Sequence, residues 1–331
     1  MEMVAAWRGM RTKLLMAVAA LLASLTVAWH DGAFGAETIR VGKSSDIAFT
    51  FVPVDVGIEE GFFRNHGVDI EIVNFGGSAK LQQGLVAGAV DIGLGAGTDI
   101  PFLVKGAPEI GVGAIALTPA LFGVILPYNS PIRDLSGLKG KKIGVTTVGS
   151  LTEWIALQIA KKEGWKADEV TIVADGSSTP AEVASLRTGE VDARISAAAL
   201  GLELEQQKEG RLLMPVSDFV GSFLMNVIYA TDTLAQHRPD ALRAFLRGWY
   251  EAVGFMAQNK PETVVIAMSI THFSQPVQDK QYDLVMPSLS RDGTFPPDAV
   301  EPVKSSFVEL QLLPSEPDMM KYLTTAFLPP R

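Results

Sequence analysis

Ile39-Arg40-Val41, Glu60-Gly61-Phe62, Ile70-Glu71-Ile72-Val73, Gly76-Gly77-Ser78 and Leu85-Val86-Ala87-Gly88-Ala89-Val90-Asp91 have a second version about a hundred positions on. It reads Ile143-Gly144-Val145, Glu163-Gly164-Trp165, Thr171-Ile172-Val173, Gly176-Ser177-Ser178 and Leu186-Arg187-Thr188-Gly189-Glu190-Val191-Asp192. Each copy spells strand, helix, strand, small-residue turn, helix, strand. That is a βαβαβ unit, the half-module of an open parallel sheet. The predicted class is therefore α/β, with two similar lobes, each an open sheet flanked by helices. Two lobes make a cleft, and a cleft suits a small-molecule ligand.

Working outward, the first lobe is expected over residues 36–127 together with about 222–331, and the second over 128–221. The chain would cross near Leu126 to Asn129 and return near Val216 to Met225, and hinge closure around a ligand is a common use of lobes so joined. Ile110 to Ile132 carries no charge, but Gly111, Gly113, Pro119, Gly123, Pro127 and Pro131 would break a membrane helix. It reads instead as two buried strands, Val112 to Leu117 and Phe122 to Leu126, joined by a turn at Thr118-Pro119. From Pro239 onward the pattern is helical: Ala241, Leu242, Phe245, Leu246, Trp249 and Val253 recur at helical spacing. This tail is expected to brace the lobes and the hinge.

Arg8, Arg11 and Lys13, the apolar run Leu14 to Ala28, and Ala33-Phe34-Gly35 have the layout of a secretory signal peptide over residues 1–35. The whole chain carries 28 basic and 37 acidic residues, a net charge of −9. An acidic chain without a basic cluster argues against nucleic acid as a partner. The chain has no cysteine, which excludes a disulfide scaffold, a thiol nucleophile and a Cys-ligated zinc, and also a lipid anchor on an N-terminal Cys. Export without an anchor points to the periplasm.

In an open α/β sheet, ligands lie beyond the carboxyl ends of the strands, at helix starts. Those starts leave amide donors free and carry partial positive charge. The turns so placed are Ser44-Ser45-Asp46, Gly76-Gly77-Ser78, Gly95-Ala96-Gly97-Thr98, Thr146-Thr147-Val148-Gly149-Ser150, Asp175-Gly176-Ser177-Ser178 and Ser196-Ala197. Any one of them alone is explained by plain helix capping; their convergence from two lobes is what points to a ligand. Phe49, Phe51 and Trp154 are candidates for an apolar lining, with core packing as the competing reading. Glu153 has the spacing of a capping box after Ser150. Lys43, Lys80 and Arg194 are the basic candidates for a ligand anion. The candidate binding set is Ser45, Asp46, Phe49, Gly77, Ser78, Gly97, Thr98, Thr147, Gly149, Ser150, Trp154 and Ser196. No catalytic residue, metal or cofactor is expected. His30, His66, His237 and His272 show no metal or general-base spacing, and no nucleophile elbow or phosphate loop occurs.

Gly57-Ile58-Glu59-Glu60-Gly61-Phe62-Phe63 with Gly67-Val68-Asp69-Ile70-Glu71, Gly88-Ala89-Val90-Asp91-Ile92-Gly93, Asp134 to Val145, Gly149-Ser150 with Thr152, and Gly189-Glu190-Val191-Asp192-Ala193 form an ordered set. Over about residues 38 to 230 it resembles the nitrate/sulfonate/taurine group of ABC-transporter solute-binding proteins, a group that includes binding proteins for thiamine-pyrimidine precursors. The resemblance implies a two-lobed periplasmic binding protein-like fold of type II with a helical C-terminal region. It implies a monomeric receptor that hands its solute to a membrane permease driven by an ATPase. It also implies ligand contacts at Ser45, Gly77, Ser78, Thr98, Thr147 and Ser150. Glu153 departs from a simple small-anion site. The competing classes are an enzyme on the same fold, related to pyrimidine-precursor synthases that use a histidine and iron, and a sensor that docks on a membrane kinase.

Overall fold

The computed structural model describes residues 37–176 and 178–330; the expected signal peptide lies outside them. The first sheet is built from β1 (Glu37–Lys43), β2 (Val68–Asn74), β3 (Ile92–Ala96) and β4 (Glu109–Ala116), and the second from β5 (Phe122–Pro127), β6 (Lys142–Val145), β7 (Thr171–Ala174), β8 (Ala193–Ala197) and β9 (Gly210–Pro215). β10 (Asn226–Thr231) returns to the first. The strand orders are β2-β1-β3-β10-β4 and β7-β6-β8-β5-β9. β1 runs parallel to β3, and β6 parallel to β7 and β8; β10 and β5 run antiparallel to both of their neighbours. The two sheets therefore share one plan. In each, the fourth position is filled by the strand that has just arrived from the other lobe.

α1 (Val52–Glu59), α2 (Phe62–Asn65), α3 (Ser78–Val86) and α4 (Ile100–Val104) belong to the first lobe. α5 (Leu151–Lys162), α6 (Thr179–Thr188) and α7 (Ala198–Gln206) belong to the second. α8 (Asp232–His237), α9 (Pro239–Met256), α10 (Lys260–Thr271), α11 (Gln275–Val285) and α12 (Pro297–Glu309) follow β10. The amphipathic α9 buries Leu242, Phe245, Leu246, Trp249 and Val253, the positions whose spacing predicts that face. Phe63 stacks on Phe245 with ring centroids 5.2 Å apart. Gly57 and Gly248 make room for it, since a Cβ at either would run into the Phe63 ring.

The duplication carries a shared hydrogen bond. Asp91 accepts the Arg40 N–H at 2.9 Å, and Asp192 accepts the Lys142 N–H at 2.9 Å. Arg40 is thus the counterpart of Lys142. This shifts the first strand of the repeat by two residues from the pairing of Ile39 with Ile143.

One boundary differs from the sequence reading. β5 lies in the second sheet, so the chain crosses over Leu117 to Leu121 rather than at Leu126 to Asn129, and Thr118-Pro119 is part of that crossing instead of a hairpin turn. Both strands flanking it are buried, and a buried strand's apolar run does not say which sheet it joins. The return runs from Val216 to Met225. The crossings are tied side by side: Phe223 N–H donates to the Leu117 carbonyl and Met225 N–H to the Ala116 carbonyl, each at 2.9 Å. Among the described residues, no helix is long and apolar enough to cross a membrane.

Candidate ligand-binding cleft

On the first lobe, the loop after β1 and the turn before α3 are one unit. Gly77 N–H donates to the Ser44 carbonyl at 2.7 Å, and Ser44 N–H to the Leu94 carbonyl at 3.1 Å. Gly77 adopts φ 138°, which suits glycine alone. Ser45 is half-buried and Asp46 exposed. Ser78, the first residue of α3, is half-buried and lies near the Asp99 carboxyl. Asp99 is 4% exposed and accepts the Ala96 N–H at 2.9 Å. Burial pushes its carboxyl up to about 7, even though the Ala96 N–H and the nearby Ser78 and Gln82 side chains oppose this. Thr98 is buried beside it. Gly97 donates its N–H to the Met225 carbonyl at 2.8 Å and lies so close to Leu224 that a Cβ would strike its carbonyl oxygen.

On the second lobe, Thr147 is exposed, and Gly149 and Ser150 are half-buried in the turn between β6 and α5. Ser150 Oγ accepts the Glu153 N–H at 3.3 Å and pairs with Thr152 Oγ1 at 2.8 Å. Glu153 returns a carboxylate oxygen to the Gly149 N–H. The capping box thus forms with its acid bonded one residue before Ser150. Ser196, 5% exposed, donates its hydroxyl to Glu182.

Arg194 has no exposed surface. It pairs with Asp175, with Glu182 at 3.1 Å and with the Gly176 carbonyl. Lys43 is likewise buried and bonded to Asp55. Two of the three basic candidates are therefore neutralised inside their own lobes, and Lys80 alone of the three is exposed.

Phe49 is fully buried, edge-on to Tyr282 with centroids 6.3 Å apart, so it packs in the core rather than presenting a surface. Trp154 is 4% exposed and rests on Phe223 at 4.4 Å. Its Nε1–H donates at 2.6 Å to Glu309, the last residue of α12, which also accepts from Gln158 and Lys161 at 3.0 Å each. One carboxylate thus gathers donors from three successive turns of α5, across a groove of about 450 Å³ floored by Phe219, Val220 and Pro302. A second strap joins α7 to the start of α11. Glu203 accepts both the N–H and the hydroxyl of Ser274, at 3.2 and 3.0 Å. Phe273 and Val277 share an apolar cluster with Leu200 and Leu204, and Ile47, from the loop after β1, packs against that cluster with Val173 and Val183. Leu312 touches the Gly149 turn. Glu309, Glu203 and Ile47 had no signal in the sequence, because their partners lie far away along the chain.

The profile of the NMT1/THI5-like family matches residues 48–263. The chain belongs to this family. Among similar proteins, a putative aliphatic sulfonates-binding protein of Bacillus subtilis (strain 168) is 25% identical over 250 residues, covering 72% of this chain and 71% of that protein. A 4-amino-5-hydroxymethyl-2-methylpyrimidine phosphate synthase, THI13 of Saccharomyces cerevisiae, is 25% identical over 221 residues, covering 62% of this chain and 63% of the yeast protein. Among solved structures, the alkanesulfonate-binding protein SsuA from Xanthomonas axonopodis pv. citri, bound to MOPS, superposes with a TM-score of 0.74 at 18% identity, covering 88% of this chain and 99% of that one. The periplasmic nitrate-binding protein NrtA from Synechocystis PCC 6803 superposes with a TM-score of 0.70 at 14% identity, covering 88% and 87%. This chain thus shares its fold with solved binding proteins and is also similar to a synthase. Of the histidines, His66 follows α2 and lies 3.0 Å from Glu251 on α9, His237 ends α8, and His272 caps α10; none of the three belongs to one of the strand-end turns.

Proposed function

We propose that the chain is the solute-binding component of an ABC importer. It works in the periplasm as a monomer, takes a small organic solute or oxyanion between its lobes, and delivers it to the permease without catalysis. The observation that carries this reading is the exchange of fourth strands between two like sheets. The lobes are joined by paired crossings at Leu117–Leu121 and Val216–Met225, a connection able to open and close as a unit. The turns at Ser45–Asp46, Gly77–Ser78 and Thr98 on one side and Thr147–Ser150 on the other stand at the carboxyl ends of the parallel strands, where an α/β sheet takes its ligand. The relatives whose names include binding proteins support the same reading.

A thermal-shift screen over sulfonates, nitrate, pyrimidines, aromatic acids and amines tests it. A solute at a hundred times its Kd stabilises the folded state by about 2.7 kcal/mol, a clear rise in Tm. Failure of every small molecule to raise Tm would contradict the receptor reading. Ser150→Trp is expected to abolish binding while leaving the Tm of the free protein within a few degrees; unchanged affinity would take that turn out of the site.

A further inference from the structure

We infer that the cleft discriminates against free oxyanions and that Glu153 sets this preference, so that the solute group lodged next to α5 is cationic or uncharged. This rests on the cleft reading above.

The start of a twelve-residue helix, α5, is the strongest anion-attracting feature of the second lobe. Donors at this turn are already engaged. The Gly149 N–H is taken by the Glu153 carboxylate, and the Glu153 N–H by Ser150 Oγ. The Thr146 N–H donates to Thr152 Oγ1 at 2.9 Å, and the two threonine hydroxyls pair at 3.0 Å. Glu153 thus acts as a built-in anion, half-exposed at the turn. A second anion arriving there would meet a like charge and find the amide engaged.

On the opposite rim the exposed basic candidate is Lys80 on α3, and the other donors are committed. Gly77 and Gly97 spend their N–H groups on the Ser44 and Met225 carbonyls. Lys43 is committed to Asp55, and Arg194 to Asp175 and Glu182. Asp46 is exposed and makes no ion pair among the described residues. Its neighbour Ile47 packs against the apolar cluster that Phe273 and Val277 share with Leu200 and Leu204 of the second lobe, which places Asp46 near the seam between the lobes. Apart from Lys80, the seam therefore carries hydroxyls and the negative charges of Glu153 and Asp46, a lining for an amine or an amide-like group.

The test is a set of matched triplets that differ only in head group. Sulfonate, carboxamide and primary amine are carried on the same ethyl, benzyl and pyrimidinyl bodies, with sodium nitrate added, and binding is read by calorimetry. The wild type is expected to bind amine or carboxamide members and to reject the matching sulfonates and nitrate. Glu153→Gln keeps an oxygen for the Gly149 N–H and removes the charge. It is expected to shrink the preference for amine over sulfonate about tenfold or more, which is about 1.4 kcal/mol, with the Tm of the free protein little changed. A wild type that binds a sulfonate or nitrate as tightly as the matched amine overturns the inference and leaves the receptor reading standing. So does a Glu153→Gln variant with an unaltered preference. A protein that binds no member of any triplet overturns both.

Discussion

Over Gly42 and Gly93 in the first sheet lie the side chains of Leu81 and Leu85, with Phe75 against Gly42 and Gly84. At the matching places in the second sheet, over Gly144, lie Arg194 and Asp175, with Glu182 joined to them. The shared aspartates, Asp91 and Asp192, match Gly93 with Arg194 and Leu81 with Glu182, and the strand-end bonds of Phe75 N–H to the Lys43 carbonyl and of Asp175 N–H to the Val145 carbonyl match Phe75 with Asp175. One lobe thus fixes its second helix to the sheet with an apolar cluster and the other with a buried ion-pair triad. In each case the enclosed groups meet groups of their own kind, apolar on apolar in one lobe and acid on base in the other. The triad also fixes where Asp175 and Gly176 stand, so it positions a strand-end turn of the second lobe.

The largest effect is expected where that comparison is broken on one side only. Arg194→Met leaves two buried carboxylates without their cation and should cost about 3–5 kcal/mol of unfolding free energy in urea. Copying the first lobe's set into the second, with Asp175→Phe, Glu182→Leu and Arg194→Gly together, should restore most of the loss, because a well-packed apolar replacement of a buried ion pair is often neutral. A triple variant as unstable as Arg194→Met would show that the two lobes are not interchangeable at this position.

The first lobe differs again in burying carboxyl groups without a cation. Burial pushes Asp99 up to about 7; it also pushes Glu109 up to about 8, with the Asp99 and Asp232 charges adding to that shift. Neither Glu109 oxygen has a hydrogen-bond partner among the described residues. A carboxyl whose folded pKa lies above its unfolded value holds its proton more tightly in the native state. Its contribution is complete below the unfolded pKa and disappears as pH rises through the folded one. Stability should therefore fall between about pH 5 and pH 8, at up to about 1.4 kcal/mol per pH unit for each group. Glu109→Gln should flatten that slope, and Asp99→Asn should flatten its lower half. A Tm that rises over this window would contradict the assignment.

A smaller effect is expected at the strap between the lobes. Glu309→Ala removes the acceptor shared by Trp154, Gln158 and Lys161. The pairs with Gln158 and Lys161 are exposed and contribute little, so the loss comes mainly from the buried indole N–H, about 1–2 kcal/mol. Trp154 emission should change as its environment opens. Glu309→Gln, which keeps an acceptor, should recover at least half.

Much of the two-lobed plan could be read before any coordinates, because each copy carries its own strand periodicity, glycine stops and helix starts. The Ser150 cap was legible for the same reason: its partner, the Glu153 N–H, is three residues away. The crossing point was not, since β4 and β5 are both buried strands and sheet membership is a matter of pairing rather than hydropathy. Whether Phe49 and Trp154 pack inward or line a pocket was open for a related reason. An aromatic near a helix start has the same local signature whether it faces a cleft or a core. Only a distant partner, Tyr282 for one and Phe223 with Glu309 for the other, decides. Arg194 shows the limit most clearly, because its two acids sit on the preceding strand end and helix and their convergence is purely three-dimensional.

The central claim is that a solute is gripped between the two lobes. The chain has no cysteine, so spin labels can be placed cleanly at Lys80→Cys on α3 and Val148→Cys in the turn before α5, both exposed. Pulsed electron–electron dipolar spectroscopy then reads the distance between lobes directly. With any solute that raises Tm, the account predicts a shorter and narrower distance distribution; a stabilising solute that leaves the distribution unchanged would contradict it.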